Sequence, residues 1–290
     1  MNIETPFIIY AEIHRFTRII KSMKKVLVCL LLLTQATMAQ VAPLRNGHAH
    51  NDYLHARPLF EALANGFTSI EADIFLYENE LKVSHLGLAL NQSKTLEELY
   101  LKPLYKIVYQ NGGQVYTNNH TPVILMIDFK TGAGTYTLLK SILKKYEDIL
   151  TVYQGDSVIH QRAVNILISG RAPYAELQQE DTALVTIDGN LSAMNDTISR
   201  KLITRYSSSW SKYFTWKGRG EIPASQKTML INLVTQAHYL KKEIRFYHIP
   251  DKEKVWQTLI DAGVDWINTD KLAAYRKFIE QEHSKTNNRL

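Results

Sequence analysis

Short apolar runs alternate with amphipathic stretches along most of this chain, and no other feature constrains the possible fold as strongly. Short apolar runs bounded by turn residues are typical of buried strands, whereas apolar residues recurring every three or four positions indicate helices. The pattern predicts eight strands, at Pro43–Gly47, Phe67–Phe75, Val123–Phe129, Ala163–Ser169, Ala183–Ile187, Leu202–Tyr206, Glu243–Tyr247 and Asp265–Asn268.

The stretches between these strands predict helices, at Arg57–Asn65, Thr95–Gln110, Thr135–Tyr146, Ser225–Lys242, Lys252–Ala262 and Lys271–Glu282. A helix between two strands returns the chain to the same end of the sheet, so such strands run parallel. Roughly 250 residues with this alternation match one TIM barrel in size. The alternative, an open doubly wound sheet, would carry an early Gly-rich phosphate turn, which this sequence lacks. We therefore predict a single-domain α/β protein, a TIM (β/α)8 barrel, over residues 40–290.

Residues 1–39 have the character of a leader and are predicted to lie outside the barrel. The stretch Met23–Ala39 has a basic start, a short apolar run and a small residue at its end, as secretory signal peptides do. Met23 is favoured over Met1 as the start, and an uncleaved N-terminal anchor is the alternative. The only cysteine, Cys29, lies in this segment, so the barrel has no disulfide. These features predict an exported protein, periplasmic or secreted, of a bacterium.

The charge balance limits the possible partners. Outside the leader, 29 Lys and Arg residues stand against 26 Asp and Glu residues, a net charge of +3. A nucleic-acid partner would be indicated by a strongly basic surface, so none is predicted. The chain has no internal repeat or low-complexity linker, and we expect a monomer.

Two carboxylates stand out on the second predicted strand. Glu71 and Asp73 are two residues apart, so on a strand they share a face. Neighbouring carboxylates repel each other unless a proton or a cation lies between them. Oxygen ligands of this kind suit Mg²⁺ or Ca²⁺. The alternative is a surface strand with two solvated acids, but the flanking Ile70 and Ile74 indicate a buried strand.

Further polar residues follow the other predicted strands. His48 comes after the first strand, and Asp128 ends the third, with Lys130 at same-face spacing beyond it. Arg171 follows the fourth strand. His85 lies in a short extra strand that we expect to fold back over the site. A barrel keeps its active site at the carboxyl ends of its strands, so these residues are predicted to meet there.

This combination resembles the superfamily of phospholipase-C-like and glycerophosphodiester phosphodiesterases. Its members carry a His near the first strand, Glu-x-Asp on the second, and another His about a dozen residues later. The form His-Ala-His-Asn-Asp-Tyr at residues 48–53 is similar to a branch related to the fungal altered-inheritance-of-mitochondria proteins. The resemblance covers most of residues 44–280. The first His is not followed by Arg-Gly, which departs from the glycerophosphodiesterases proper.

The resemblance implies a phospholipase-C-like phosphodiesterase barrel with a divalent cation, Mg²⁺ or Ca²⁺, bound by Glu71, Asp73 and Asp128. It implies that His48 and His85 form the acid–base pair, with His48 assigned as the base. These five residues are therefore the predicted metal ligands and catalytic groups.

Five other residues are predicted to surround the substrate. The resemblance places Lys130 against the phosphate and Asn51 beside His48. Arg171 could clamp phosphate through its planar guanidinium or pair with a surface acid. Tyr247 ends the seventh predicted strand and could wall the pocket. His50 is either a neighbour of the catalytic His or a turn histidine.

The leading functional prediction is a metal-dependent phosphoric diester hydrolase acting on a glycerophosphodiester or phospholipid headgroup. The alternatives are a phosphomonoesterase with the same cation and a barrel that binds a phosphorylated ligand without catalysis. An aromatic and basic segment, residues 206–220, could grip a headgroup or make transient contact with a membrane surface, or could pack onto the barrel rim.

Overall fold

Eight parallel strands close into a barrel in the computed structural model, which describes residues 41–195 and 201–287. Each barrel strand pairs with the next along the chain, and the last pairs with the first through Gly47 and Ile267. The predicted α/β barrel is therefore confirmed. The barrel strands are β1 (Leu44–Ala49), β2 (Phe67–Tyr77), β4 (Val123–Phe129), β7 (Val164–Gly170), β8 (Val185–Asn190), β9 (Ile203–Ser209), β10 (Glu243–Tyr247) and β11 (Trp266–Thr269).

Helices follow most barrel strands and cover the outside of the sheet. A π-helical turn, Glu97–Leu101, leads into the second helix, which the sequence predicted as one continuous helix. The α-helices are α1 (Phe60–Ala64), α2 (Lys102–Gln110), α3 (Thr135–Leu143), α4 (Tyr174–Leu177), α5 (Ala224–Tyr239), α6 (Glu253–Asp261) and α7 (Leu272–Asn287). The short α4 was not predicted.

Two hairpins interrupt the βα pattern. The strand β3 (Glu80–Val83) pairs antiparallel with the end of β2 and returns the chain to the barrel, where the amide of Ser84 lies 3.3 Å from the carbonyl oxygen of Asp73. This confirms the predicted extra strand and places His85 at the carboxyl end of the barrel. A second hairpin, β5 (Val152–Gln154) and β6 (Ser157–His160), was not predicted.

Side-chain alternation on β2 divides the core into two parts. Ile70, Ala72 and Ile74 are fully buried in the apolar core, whereas Glu71 and Asp73 line a cavity inside the barrel. Successive side chains of a strand point to opposite faces, which produces this division. Strand β2 thus carries the polar residues that were predicted to share a face.

The predicted leader, residues 1–39, lies outside the described residues and stays a prediction. The described residues from Ala42 onward form one compact unit. Within residues 41–195 and 201–287, no helix is both long enough and apolar enough to cross a membrane.

Candidate active site

A cavity of about 650 Å³ opens at the carboxyl ends of the barrel strands. Most of the site residues that were predicted from the sequence line this cavity, although they come from distant segments of the chain. Eight of them line it: His50, Asn51, Glu71, Asp73, His85, Asp128, Lys130 and Tyr247. His48 and Arg171 are not among the lining residues.

His48 is fully buried inside the barrel, below the side chains of Glu71 and Arg245 that line the cavity. Its Nδ1 lies 2.7 Å from Ser69 Oγ, and its Nε2 lies 2.9 Å from Glu71 Oε2 and 2.7 Å from Arg245 Nη1. Burial and the charge of Arg245 lower the pKa of His48 to about 3. Both ring nitrogens are engaged, so the geometry does not support His48 as the base.

The end of strand β1 explains this correction. The sequence predicted that the strand stops at Gly47, whereas it continues to Ala49 because His48 pairs in register with Asn268 on one side and Ser69 on the other. His48 is therefore a strand residue, and His50 is the histidine that emerges at the carboxyl end.

His50 lines the cavity and is paired with a carboxylate. Its Nδ1 lies 2.7 Å from Asp270 Oδ1, at the end of β11. Burial alone would lower the pKa of His50, but the hydrogen bond to Asp270 and the charge of Glu71 outweigh it and raise the pKa. An imidazole held through Nδ1 by a carboxylate presents Nε2 to a substrate, as a general base requires.

His85 lies in the same cavity and is connected to a carboxylate through a tyrosine. Tyr53 donates its hydroxyl hydrogen bond to Asp73 Oδ2 over 2.7 Å, and the same hydroxyl lies 3.0 Å from His85 Nδ1. Burial and the charge of Asp73 raise the pKa of Tyr53, so its hydroxyl stays protonated. Because the Tyr53 hydroxyl donates its only hydrogen to Asp73, it accepts a hydrogen bond from Nδ1 of His85. The Nε2 atom of His85 is then left for the substrate.

Arg245 organises the floor of the cavity. Its guanidinium donates to Glu71 Oε2 (3.2 Å), Asn268 Oδ1 (2.9 Å), Asp188 Oδ2 (3.3 Å) and Ser207 Oγ (3.1 Å). Burial would raise the pKa of Glu71, but the charge of Arg245 and the hydrogen bond with His48 hold it far below its usual range. Glu71 is therefore ionised and already engaged by protein groups.

Asp73 and Asp128 lie side by side, because they are register partners on β2 and β4. The ammonium of Lys130 bridges them, at 2.9 Å from Asp73 Oδ2 and in contact with Asp128 Oδ2. Burial would lower the pKa of Lys130, but its hydrogen bonds to Asp128 and Asp73 raise it. Lys130 is thus a cation that faces the cavity, as the sequence predicted.

The predicted three-carboxylate metal site is not assembled as such. Across the described ranges, no group of three or more His, Cys, Asp or Glu side chains is arranged to hold a metal ion. Glu71 is turned to Arg245. Asp73 and Asp128 fit a cation better, because Asp73 Oδ1 is buried without a hydrogen-bond partner in the described part of the chain. A role for Mg²⁺ or Ca²⁺ stays a prediction.

The remaining predicted contacts divide between the cavity and the surface. Asn51 adopts a left-handed backbone conformation, and its side-chain oxygen lies 2.9 Å from the Tyr53 hydroxyl. Tyr247 lies at the cavity wall, with the guanidinium of Arg245 5.7 Å from its ring centre. Arg171 is exposed and is not among the lining residues, although its neighbour Gly170 is, so its role as a phosphate clamp stays a prediction.

The aromatic segment that was considered for membrane contact is packed instead. Trp210, Phe214 and Trp216 are buried, and the ring centroids of Trp210 and Phe214 lie 4.0 Å apart. Phe246 of β10 completes the cluster. These aromatic side chains hold their loop on the barrel rim, which was the alternative interpretation of the sequence.

Sequence reasoning missed Asp270, Arg245 and Tyr53. Asp270 follows the last strand. It could have been found in the same way as Asp128, as a polar residue at the carboxyl end of a barrel strand. Arg245 stands between Ile244 and Phe246, and a charged residue inside an apolar strand is costly unless it is paired, which marks it as a network member. Tyr53 has no comparable signal.

The sequence matches known proteins over most of its length. A family model described as an AIM6-like phosphodiesterase domain matches residues 35–186. The protein called altered inheritance of mitochondria protein 6 from Eremothecium gossypii is 29% identical over 266 residues, which cover 80% of this chain and 68% of that protein. The protein of the same name from Lachancea thermotolerans is 28% identical over 271 residues, covering 78% of this chain and 63% of that protein.

The organisms of these relatives test the predicted cellular location of the protein. They are yeast proteins named for mitochondrial inheritance, and they point to a eukaryotic protein. This finding contradicts the prediction of a bacterial periplasmic or secreted protein.

The fold is shared with a solved structure. The chain superposes on a glycerophosphodiester phosphodiesterase from Parabacteroides distasonis with a TM-score of 0.50 and 15% sequence identity, covering 83% of this chain and 98% of that one.

Proposed function

Because this chain belongs to the AIM6-like phosphodiesterase domain family, whose model matches more than half of it, we propose that it is a phosphoric diester hydrolase. The observation that carries the proposal is a pair of histidines in one cavity, each connected to a carboxylate. His50 is paired with Asp270, and His85 is linked through Tyr53 to Asp73. A site that only binds a phosphorylated ligand has no need of two such groups.

Each histidine has a distinct role in the proposed reaction. His50 removes the proton from the attacking hydroxyl, which belongs to water or to the substrate itself, while Asp270 stabilises the imidazolium that forms. The attacking oxygen bonds to phosphorus as the bond to the leaving oxygen breaks. His85, with a proton on each ring nitrogen, gives the Nε2 proton to that leaving oxygen, while its Nδ1–H stays hydrogen-bonded to Tyr53, which fixes the ring.

Positive charge in the cavity stabilises the transition state. Negative charge increases on the non-bridging phosphate oxygens during the reaction, and a fixed cation beside them lowers the barrier. Lys130 is the partly exposed cation among the lining residues, whereas the Arg245 guanidinium is taken up by the buried network. A divalent cation on Asp73 and Asp128 would supply further positive charge to the same oxygens.

We expect the protein to hydrolyse bis(p-nitrophenyl) phosphate much faster than p-nitrophenyl phosphate, because the second negative charge of a monoester would lie close to the carboxylates of Asp73 and Asp128 that line the cavity. Release of p-nitrophenolate measures both rates. The faster hydrolysis of the monoester would instead favour the phosphomonoesterase. A panel of glycerophosphodiesters and phospholipid headgroups then identifies the substrate class.

The cation is tested in the same assay. We expect exhaustive chelation to lower hydrolysis at least tenfold and Mg²⁺ or Ca²⁺ to restore it. Calorimetric titration of the chelated protein should show binding that Asp128→Asn abolishes. If hydrolysis is unchanged and no heat of binding is detected, the reaction does not depend on a divalent cation, and Lys130 is the cation that stabilises the transition state.

Asp270→Asn is expected to move the acidic limb of the pH profile of kcat/KM to lower pH. His50 acts as a base only when neutral, and the Asp270 carboxylate raises its pKa, so removing that charge makes His50 neutral at lower pH. Asp265→Asn is the matched control, because Asp265 holds His238 on the surface at 2.9 Å. An unshifted limb in Asp270→Asn would exclude His50 as the titrating base.

A further inference from the structure

Three leucines beside the cavity are exposed to an unusual degree. Leu54, Leu86 and Leu88 have exposed fractions of 66%, 69% and 71%. Leu54 follows Tyr53 and Leu86 follows His85, and those two residues contact each other at 3.0 Å. The segments that carry the leucines therefore meet at the cavity. Apolar side chains grouped on a surface mark a binding site for an apolar partner.

The loop after β3 has a defined conformation that keeps its leucines in solvent. Gly87 lies against the Phe75 ring so closely that a Cβ at this position would come within 2.7 Å of it, and its φ of +68° favours glycine. The amide of Val83 donates to the carbonyl of Lys94 over 2.9 Å and closes the loop. Leu86 and Leu88 flank the anchored glycine, so their exposure belongs to the folded structure.

Basic side chains accompany the leucines on both segments. Arg57 and Lys94 are exposed, and neither forms an ion pair with any residue that the structure describes. Leucines with neighbouring free cations are suited to a bilayer surface, where the apolar side chains enter the acyl boundary and the cations meet anionic headgroups. The patch borders the mouth of a cavity that holds Lys130 and two histidines.

We propose that Leu54, Leu86 and Leu88 form a membrane-contact rim, which inserts into a phospholipid surface and holds the cavity over the headgroups. If the rim binds a bilayer and the cavity hydrolyses diesters, the substrate is a phospholipid presented in that bilayer; this second step rests on the proposed function. Binding to the surface itself does not require catalysis, so the two can be tested separately.

Local insertion is measured with a tryptophan placed in the rim. The four native tryptophans are all buried, at 2–7% exposure, which keeps their emission away from a lipid quencher. In the full-length chain, Leu88→Trp should be strongly quenched by vesicles of brominated phosphatidylcholine and phosphatidylglycerol. Val158→Trp is the matched control, because Val158 is 48% exposed on the β5–β6 hairpin and should be quenched little. Equal quenching of the two variants would overturn the proposal.

Binding and catalysis are then separated with Leu86→Ser/Leu88→Ser. We expect sedimentation with the same vesicles to fall at least tenfold relative to Val158→Ser/Ile159→Ser, while hydrolysis of soluble bis(p-nitrophenyl) phosphate stays unchanged. Undiminished sedimentation would overturn the rim. So would concentration-dependent dimers that the leucine substitutions abolish, because a second copy would then be the partner. Vesicle binding without hydrolysis of any diester would contradict the proposed function alone.

Discussion

Replacing His50 with Ala should lower kcat by about 10²–10⁴, the usual loss when a general acid or base is removed. His50 lines the cavity and is held by Asp270, whereas His48 is buried with both ring nitrogens engaged. Steady-state hydrolysis of bis(p-nitrophenyl) phosphate measures the effect. Thermal unfolding should show that the variant keeps its stability within about 1 kcal/mol, since His50 lies at the cavity and not in the apolar core.

Two comparisons make this prediction specific. His238→Ala removes a surface histidine that also has an Asp partner, and it should leave kcat unchanged. p-Nitrophenolate departs with little protonation, so His85→Ala should be much less damaging with this leaving group than with an alkyl alcohol, whereas His50→Ala should be damaging with both. A silent His50→Ala, or recovery of its activity with the good leaving group, would assign the base to another residue.

Replacing Arg245 with Met should lower the free energy of unfolding by about 3–5 kcal/mol, the scale for breaking a buried ion pair on one side. Arg245 is 3% exposed and pairs with Glu71 and Asp188, both of which are buried. Methionine has a similar shape, so the loss comes mainly from two carboxylates left without their cation. Urea unfolding at neutral pH measures it.

The pH dependence identifies the cause of that loss. In the native protein the depressed pKa of Glu71 contributes stability that is present above the unfolded pKa and is lost as pH falls. In Arg245→Met the pKa of Glu71 should instead be raised, and the pKa of Asp188, which burial already raises in the native protein, should rise further, so the variant should regain stability as pH falls. Adding Glu71→Gln should restore part of the loss at neutral pH. Arg171→Met, at an exposed arginine, should change the free energy of unfolding by less than about 0.5 kcal/mol. A loss of the same small size in Arg245→Met would show that the network is not stabilising.

The barrel could be predicted because its signals are local. Apolar runs and their spacing determine which segments become strands and helices, and strands joined by helices run parallel. The same reasoning placed Glu71 and Asp73 on one face, and it placed Asp128, Lys130 and Tyr247 near the carboxyl ends of their strands. The structure gathers all of these residues around one cavity.

The partners within the site could not be predicted in the same way. Asp270 is 220 positions from His50, and Arg245 is 174 positions from Glu71. Their contacts arise only when the last strands close against the first, since barrel closure determines which strand ends become neighbours. The same closure brings Arg245 to Glu71 from across the barrel, so the described side chains of Glu71, Asp73 and Asp128 are not grouped around one point, and their predicted binding of a cation stays a prediction.

The amino-acid sequence by itself determined the barrel, the order of its strands and the set of polar residues at its carboxyl end, because periodicity and residue type are properties of neighbouring positions. Only the tertiary structure decided that His50 and not His48 faces the cavity. His48 and His50 are two residues apart and so share a face, and what separates them is their depth in the barrel: β1 continues to Ala49 because its backbone pairs with Thr269 and Ile70 on both sides. Two further residues of pairing therefore keep His48 buried below the cavity, against Glu71 and Arg245, and bring His50 to Asp270.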